Sequence, residues 1–130
     1  MEQRVTAKLN FLRMGPRKVR LVIDLIRGRK VTTAINTLSL LNKKAARPVL
    51  KLLNSAIANA KNNYSLPIES LRVETAMVDG GRVLKRSMPK AHGSATPVRE
   101  RTSHVSLILV GSKEEKKGKE EKKEKIKEKK

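Results

Sequence analysis

Six cations, Arg82, Lys85, Arg86, Lys90, Arg99 and Arg101, fall between Asp79 and His104 against a single acid, Glu100. Ammonium and guanidinium groups at that density, with few apolar residues among them, neutralise phosphates and release the counterions those phosphates hold. Acid–base chemistry has much less to work with. His92 and His104 are the two histidines, and Asp24, Glu69, Glu74, Asp79 and Glu100 form no constellation that would serve an imidazole. Cysteine is absent, which excludes disulfides and thiolate sites and suits a reducing compartment. The chain also lacks a phosphate-cradling glycine loop, a metal-ligand spacing and a nucleophile with a base beside it. No cofactor, no metal and no enzymatic activity are expected. A basic ribonuclease working through His92 and His104 is the alternative from the enzyme class.

The whole chain agrees with a polyanionic partner. It holds 31 Lys and Arg against 12 Asp and Glu, a net charge of +19 in 130 residues. The lysine-rich end is not the source, because residues 111–130 contain 10 bases and 6 acids, whereas residues 1–110 contain 21 and 6. Such charge makes nucleic acid the default partner. A membrane is the weaker reading: no run approaches the ~18–20 apolar residues of a spanning helix, and Met1 to Asn10 has no signal-peptide core. With Phe11 and Tyr64 as the only aromatics, stacking of unpaired bases on aromatic platforms is excluded. Phosphate, sugar and shape contacts remain.

The elements that must position these cations follow from periodicity. Residues 3–11 alternate as a half-buried strand, with Val5, Ala7 and Leu9 on one side. After Gly15-Pro16, Val19, Val22, Ile23 and Ile26 predict a helix over about 16–27 that Gly28 caps. A short helix is expected over 33–41, capped by Thr32, and a long one over 44–62 with Ala46, Val49, Leu50, Leu53, Ile57 and Ala60 as its apolar face. The period then changes to two. Leu71, Val73, Thr75 and Met77 line one side of a strand, opposite Arg72, Glu74 and Ala76, and residues 102–110 return with Val105, Leu107 and Leu109 inward. The fold class is α+β: a three-stranded antiparallel sheet packed by three helices, with a long protruding β-hairpin over about 79–104. Residues 1–110 are one domain, and the Lys/Glu-rich residues 111–130 are expected to be a disordered tail.

Gly80-Gly81 suits a bend where the hairpin leaves the core. Arms of ten to twelve residues would reach about 35–40 Å. Two-stranded ribbons are marginal in water, so the hairpin is expected to be ordered only against its partner.

Residues 54–63 (Asn54-Ser55-Ala56-Ile57-Ala58-Asn59-Ala60-Lys61-Asn62-Asn63), Met88-Pro89-Lys90-Ala91-His92-Gly93 and Arg101-Thr102-Ser103-His104 closely resemble the large-subunit ribosomal protein twenty-two family. Pro16-Arg17-Lys18-Val19-Arg20-Leu21 and Asp24-Leu25-Ile26-Arg27-Gly28 resemble its first helix, and the likeness covers residues 5–110 in order. Ser94 stands where that family often has arginine, and Gly15 where a serine cap is common.

The resemblance implies a structural constituent of the large ribosomal subunit, in the cytoplasm. Its body would bind large-subunit ribosomal RNA beside neighbouring ribosomal proteins, and its hairpin would line the exit tunnel for nascent polypeptide. RNA contact is then expected from Arg4, Lys8, Arg13, Arg17, Lys18, Arg20 and Arg27 near the start of the chain, and from Lys43, Lys44, Asn59, Lys61 and Asn62 about the third helix. In the hairpin it is expected from Arg82, Lys85, Arg86, Lys90, His92, Arg99, Arg101, Thr102, Ser103 and His104. The tip, Met88, Pro89, Lys90, Ala91, His92, Gly93 and Ser94, would face the nascent chain. No membrane partner and no homo-oligomer are expected. Read without the resemblance, Arg17, Lys18 and Arg20 serve equally well as a solvated helix face. A nucleic-acid architectural protein acting outside the ribosome remains a further alternative.

Overall fold

The computed structural model describes residues 1–113. Five strands and three helices follow one another as β1 (Glu2–Leu12), α1 (Pro16–Asp24), α2 (Val31–Leu40), α3 (Ala46–Tyr64), β2 (Arg72–Gly80), β3 (Leu84–Pro89), β4 (Ala95–Glu100) and β5 (Ser103–Ser112). The expected α+β class, three helices on an antiparallel sheet with a protruding hairpin, is what forms. Strand β5 lies in the middle of the main sheet, with β1 on one side and β2 on the other, both antiparallel to it.

The core lies between one face of that sheet and the helices. Val5, Ala7, Val73, Val105, Leu107 and Leu109 project from the strands, and Val19, Ile23, Val49 and Leu53 meet them from α1 and α3. Helix α3 crosses β1 and β5, α1 flanks β2, and α2 packs on α3. The helix stripes read from the sequence account for this packing. Pro48 is accommodated because it sits in the first turn of α3.

The helix boundaries differ from expectation in instructive ways. Helix α1 stops at Asp24 rather than Arg27, because Leu25, Ile26 and Arg29 bond three residues back instead of four. Ile26 still reaches the core from this tighter turn. Gly28 then takes φ +75°, where a side chain would be strained, and its N–H donates to the Val73 carbonyl at 3.0 Å. Helix α2 starts at Val31, two residues early. Thr32 is inside it, and Lys30 caps it without a side-chain bond.

Strand β2 corrects the expected alternation. A bulge between Val73 and Thr75 shifts the pairing with β5 by one residue, so Ala76 and Val78 turn inward and Met77, expected inside, is 47% exposed. One extra residue is enough to exchange the two faces of the rest of a strand.

The outer edge of β2 is closed by the connection that follows α1. Val73 N–H donates to the Arg29 carbonyl at 2.9 Å, and Val31 N–H donates to the Leu71 carbonyl at 3.1 Å. Further along, arginines from α1 and its C-terminal turn take over. Arg27 donates to the Ala76 carbonyl at 2.9 and 3.1 Å, and Arg20 donates to the Val78 carbonyl at 3.0 and 3.3 Å. An edge strand with satisfied carbonyls offers no template for another chain. Arg27→Ala is expected to lower stability by about 1 kcal/mol, the net worth of an ordinary hydrogen bond. Arg27→Lys should recover only part of that, since one ammonium cannot reproduce the fork that holds Ala76 and also Asp24 at 2.7 Å. Equilibrium urea unfolding checks both.

Beyond the main sheet, β3 and β4 form a separate two-stranded ribbon of six residue pairs, from Leu84↔Glu100 to Pro89↔Ala95. The pairing of β2 with β5 runs on to Gly80↔Ser103, so the ribbon's own ladder is shorter than residues 79–104 suggest and spans roughly 20 Å. Gly111 and Ser112 extend β5 past the expected boundary at 110. The expected disorder of the tail concerns residues that, from 114 onward, lie outside those described.

Candidate nucleic-acid interface

The ribbon contributes almost nothing to the core of its own domain. Every residue of β3 and β4 is exposed except Leu84, which is half-buried where the ribbon joins the body. Lys85 and Arg99 face each other across the ladder, Arg86 pairs with Val98, and Lys90 stands at the turn. The tip closes with His92 and Gly93 in the left-handed region, φ 58° and 70°, and with Lys90 N–H donating to the Ser94 carbonyl at 2.7 Å.

The root is tight. Gly81 N–H donates to the Thr102 carbonyl at 2.8 Å, and the Thr102 hydroxyl donates to the Arg82 carbonyl at 2.6 Å. A Cβ on Gly81 would overlap Thr102 Oγ1 and sit 3.2 Å from His104 Nε2. Glycine there is required by close approach rather than by an unusual torsion. Thr102 and Ser103 are buried, 5% and 0% exposed, so their side chains shape the root and are not presented outward. Ser103 Oγ has no hydrogen-bond partner among the described residues.

His104 is committed to the fold as well. Phe11, at φ 58°, donates its backbone N–H to His104 Nδ1 at 3.1 Å, and the two rings meet edge-on at 4.9 Å. Accepting at Nδ1 leaves the ring proton to Nε2. Asp79 lies across the ladder from His104, but no hydrogen bond joins them. His92 is at the other end of the ribbon, so the two histidines are not brought together. Among the described residues, no group of three His, Cys, Asp or Glu is placed to hold a metal, and no helix is long and apolar enough to cross a membrane.

The remaining expected contacts divide by what the side chain already does. Arg4 pairs with Glu74 and Arg13 with Glu100, each at 3.0 Å, and Arg20 and Arg27 hold β2. Lys8, Arg17, Lys18, Lys43, Lys44, Lys61 and Asn62 are exposed, and Asn59 is half-buried. Arg82, Lys85, Arg86, Lys90, Arg99 and Arg101 are exposed without an ion pair among the described residues. The arginine face of α1 is thus divided: Arg17 has no partner among the described residues, whereas Arg20 is engaged with the sheet. Nothing local in the sequence distinguishes them, because a bond to a strand 58 residues away leaves no periodic trace.

Sequence reasoning missed the junction between ribbon and body. Leu21, 70% exposed on α1, and Leu25, 36% exposed just past its end, lie about one turn apart, off the stripe made by Val19, Val22, Ile23 and Ile26. That misfit was the available signal. Together with Leu41, Lys43, Lys44, Leu84 and Arg101 they line a cleft of about 1040 Å³.

Because the ribbon carries four cations, Lys85, Arg86, Lys90 and Arg99, against one acid, and a lone ribbon buries so little, it should be loosely held in the free protein. Amide hydrogen exchange of the purified chain is expected to be fast over residues 84–100 and slow in β5. Uniform protection of both would contradict this.

Comparison with known proteins gives a consistent picture. The family model described as "Ribosomal protein L22p/L17e" matches residues 7–110. The chain is 50% identical over 107 residues to the protein named large ribosomal subunit protein uL22 from Mycoplasma capricolum, covering 82% of this chain and 96% of that one. It is 54% identical over 103 residues to the uL22 of Mesoplasma florum, covering 79% and 92%, and 48% identical over 108 residues to that of Pelobacter propionicus, covering 83% and 97%.

Proposed function

This chain belongs to the ribosomal protein L22p/L17e family, and from that premise we propose that its body and ribbon bind large-subunit ribosomal RNA while the ribbon tip lines the passage for nascent polypeptide. Membership makes it a structural constituent of the large ribosomal subunit, in the cytoplasm, and not an enzyme. The observation that carries the finer reading is the ribbon itself: Lys85, Arg86, Lys90 and Arg99 against the single acid Glu100, with Arg82 and Arg101 at the root, on a two-stranded projection whose side chains, Leu84 aside, serve no core. A projection of that kind becomes rigid when phosphates surround it. By touching several RNA segments at once it would brace them against each other, which is what a structural role means physically. Neighbouring ribosomal proteins are the other partners that family membership implies.

The cations lie along the ribbon and the tip is nearly neutral apart from Lys90. RNA is therefore proposed for the flanks and the growing peptide for Met88, Pro89, Ala91, His92, Gly93 and Ser94. The test is a photoreactive label at Ala91 in intact particles carrying a stalled nascent chain. Crosslinks to that chain, with RNA adducts from a label on β3, are expected. A tip label that reacts only with solvent would overturn the reading, and co-sedimentation with chromatin rather than large subunits would favour an architectural protein.

A further inference from the structure

From the cleft between ribbon and body we infer that it receives a single nucleotide splayed out of the RNA, its base on the aliphatic floor and its flanking phosphates on the rim. The inference rests on the RNA-binding reading above and gives it a definite pocket. The floor is Leu21 of α1, Leu25 just after it, Leu41 of the α2–α3 connection and Leu84 at the start of β3. Folding does not account for Leu21, which is 70% exposed and stands off the helix stripe that meets the core. The rim carries Lys18, Lys43, Lys44 and Arg101, and the one acid there, Glu100, is held by Arg13 at 3.0 Å.

That arrangement selects its occupant by charge and shape. Cations around an apolar floor fit a ligand that is anionic at its ends and flat and weakly polar in its middle. A cationic or neutral peptide would leave the lysines unmatched. At about 1040 Å³ the space exceeds what a base alone fills and accommodates the neighbouring phosphates. Unpaired bases are the parts of RNA that side chains can enclose, and Arg101 adds a guanidinium plane where no aromatic ring is present. Leu84 opens the ribbon and Arg101 directly follows it, so occupation of the cleft would also fix the angle at which the ribbon leaves the body.

The chain contains no cysteine, so Leu21→Cys introduces a single thiol. At 70% exposure the change does not threaten the core. A benzophenone attached there, in large subunits assembled with the full chain, is expected to give one reverse-transcription stop at an unpaired nucleotide. Lys43→Gln with Lys44→Gln should weaken that stop several-fold and leave unchanged the stops from a reference label at Ser87→Cys, an exposed position of β3. Stops from the ribbon label alone, stops from Leu21→Cys scattered over many nucleotides, or an adduct to a neighbouring protein would each overturn the cleft assignment while leaving RNA binding intact. Silence from both labels would overturn the two together.

Discussion

Replacing Arg82, Lys85, Arg86, Lys90, Arg99 and Arg101 together by glutamine is expected to lower the affinity for a large-subunit ribosomal RNA fragment on the order of a thousandfold at low salt. The same change should make the plot of log affinity against log salt shallower by about 4 to 5, since each phosphate contact contributes about 0.7 to 0.9 to that slope. The variant isolates binding from folding to an unusual degree. All six side chains are exposed and outside ion pairs among the described residues, so the body's unfolding free energy should change by only about the few tenths of a kcal/mol usual for each surface change. Filter binding or anisotropy across a salt series reads the effect. An unchanged slope would mean that the ribbon's charge is spent on solvent, and the proposed RNA contact along its flanks would fall with it.

The second large effect concerns the body. Leu107 is fully buried in the central strand, with β1 paired on one side at Ala7 and β2 on the other at Ala76. Those small neighbours cannot swell to fill a void. Leu107→Ala is therefore expected to cost about 2 to 5 kcal/mol, a large part of the ~5–15 kcal/mol that holds a domain of this size. A midpoint drop on the order of 10 to 20 °C follows. Ile108→Ala, one residue along and half-buried on the opposite face, should cost under about 1.5 kcal/mol. Similar losses at both positions would show that the strand is not inserted as described.

Much of the body was legible because its signals are local. The stripe of Val49, Leu53, Ile57 and Ala60 and the alternation of Val105, Leu107 and Leu109 predict faces that the fold buries. What escaped depends on partners remote in the chain. The bulge in β2 exists because one residue between Val73 and Thr75 has no counterpart in β5, and a strand read alone cannot reveal that. The roles of Arg20 and Arg27 as donors to β2 were hidden for the same reason. Ile26 extended the apolar period of α1 past the point where its backbone tightens, so the helix looked three residues too long. In the candidate interface, charge density identified the ribbon. Its root hydroxyls, Thr102 and Ser103, were carried along by the resemblance and lie inside. The cleft needed the α2–α3 connection and the ribbon root to be brought beside α1, which spacing alone does not do.

The central position of β5 has a consequence for biogenesis. Both of its neighbours precede it, and Glu2 aligns with Ser112, so the first strand waits for nearly everything else to be made. A chain emerging from its own synthesis can wind α1 and α3 early but cannot complete the sheet beneath them, because the strand that joins β1 to β2 follows both in the chain. Contacts this distant in sequence also close slowly. Closure of the sheet should therefore be a single late event after Ser112 has been made, and until then β1 and β2 each keep an unpaired edge.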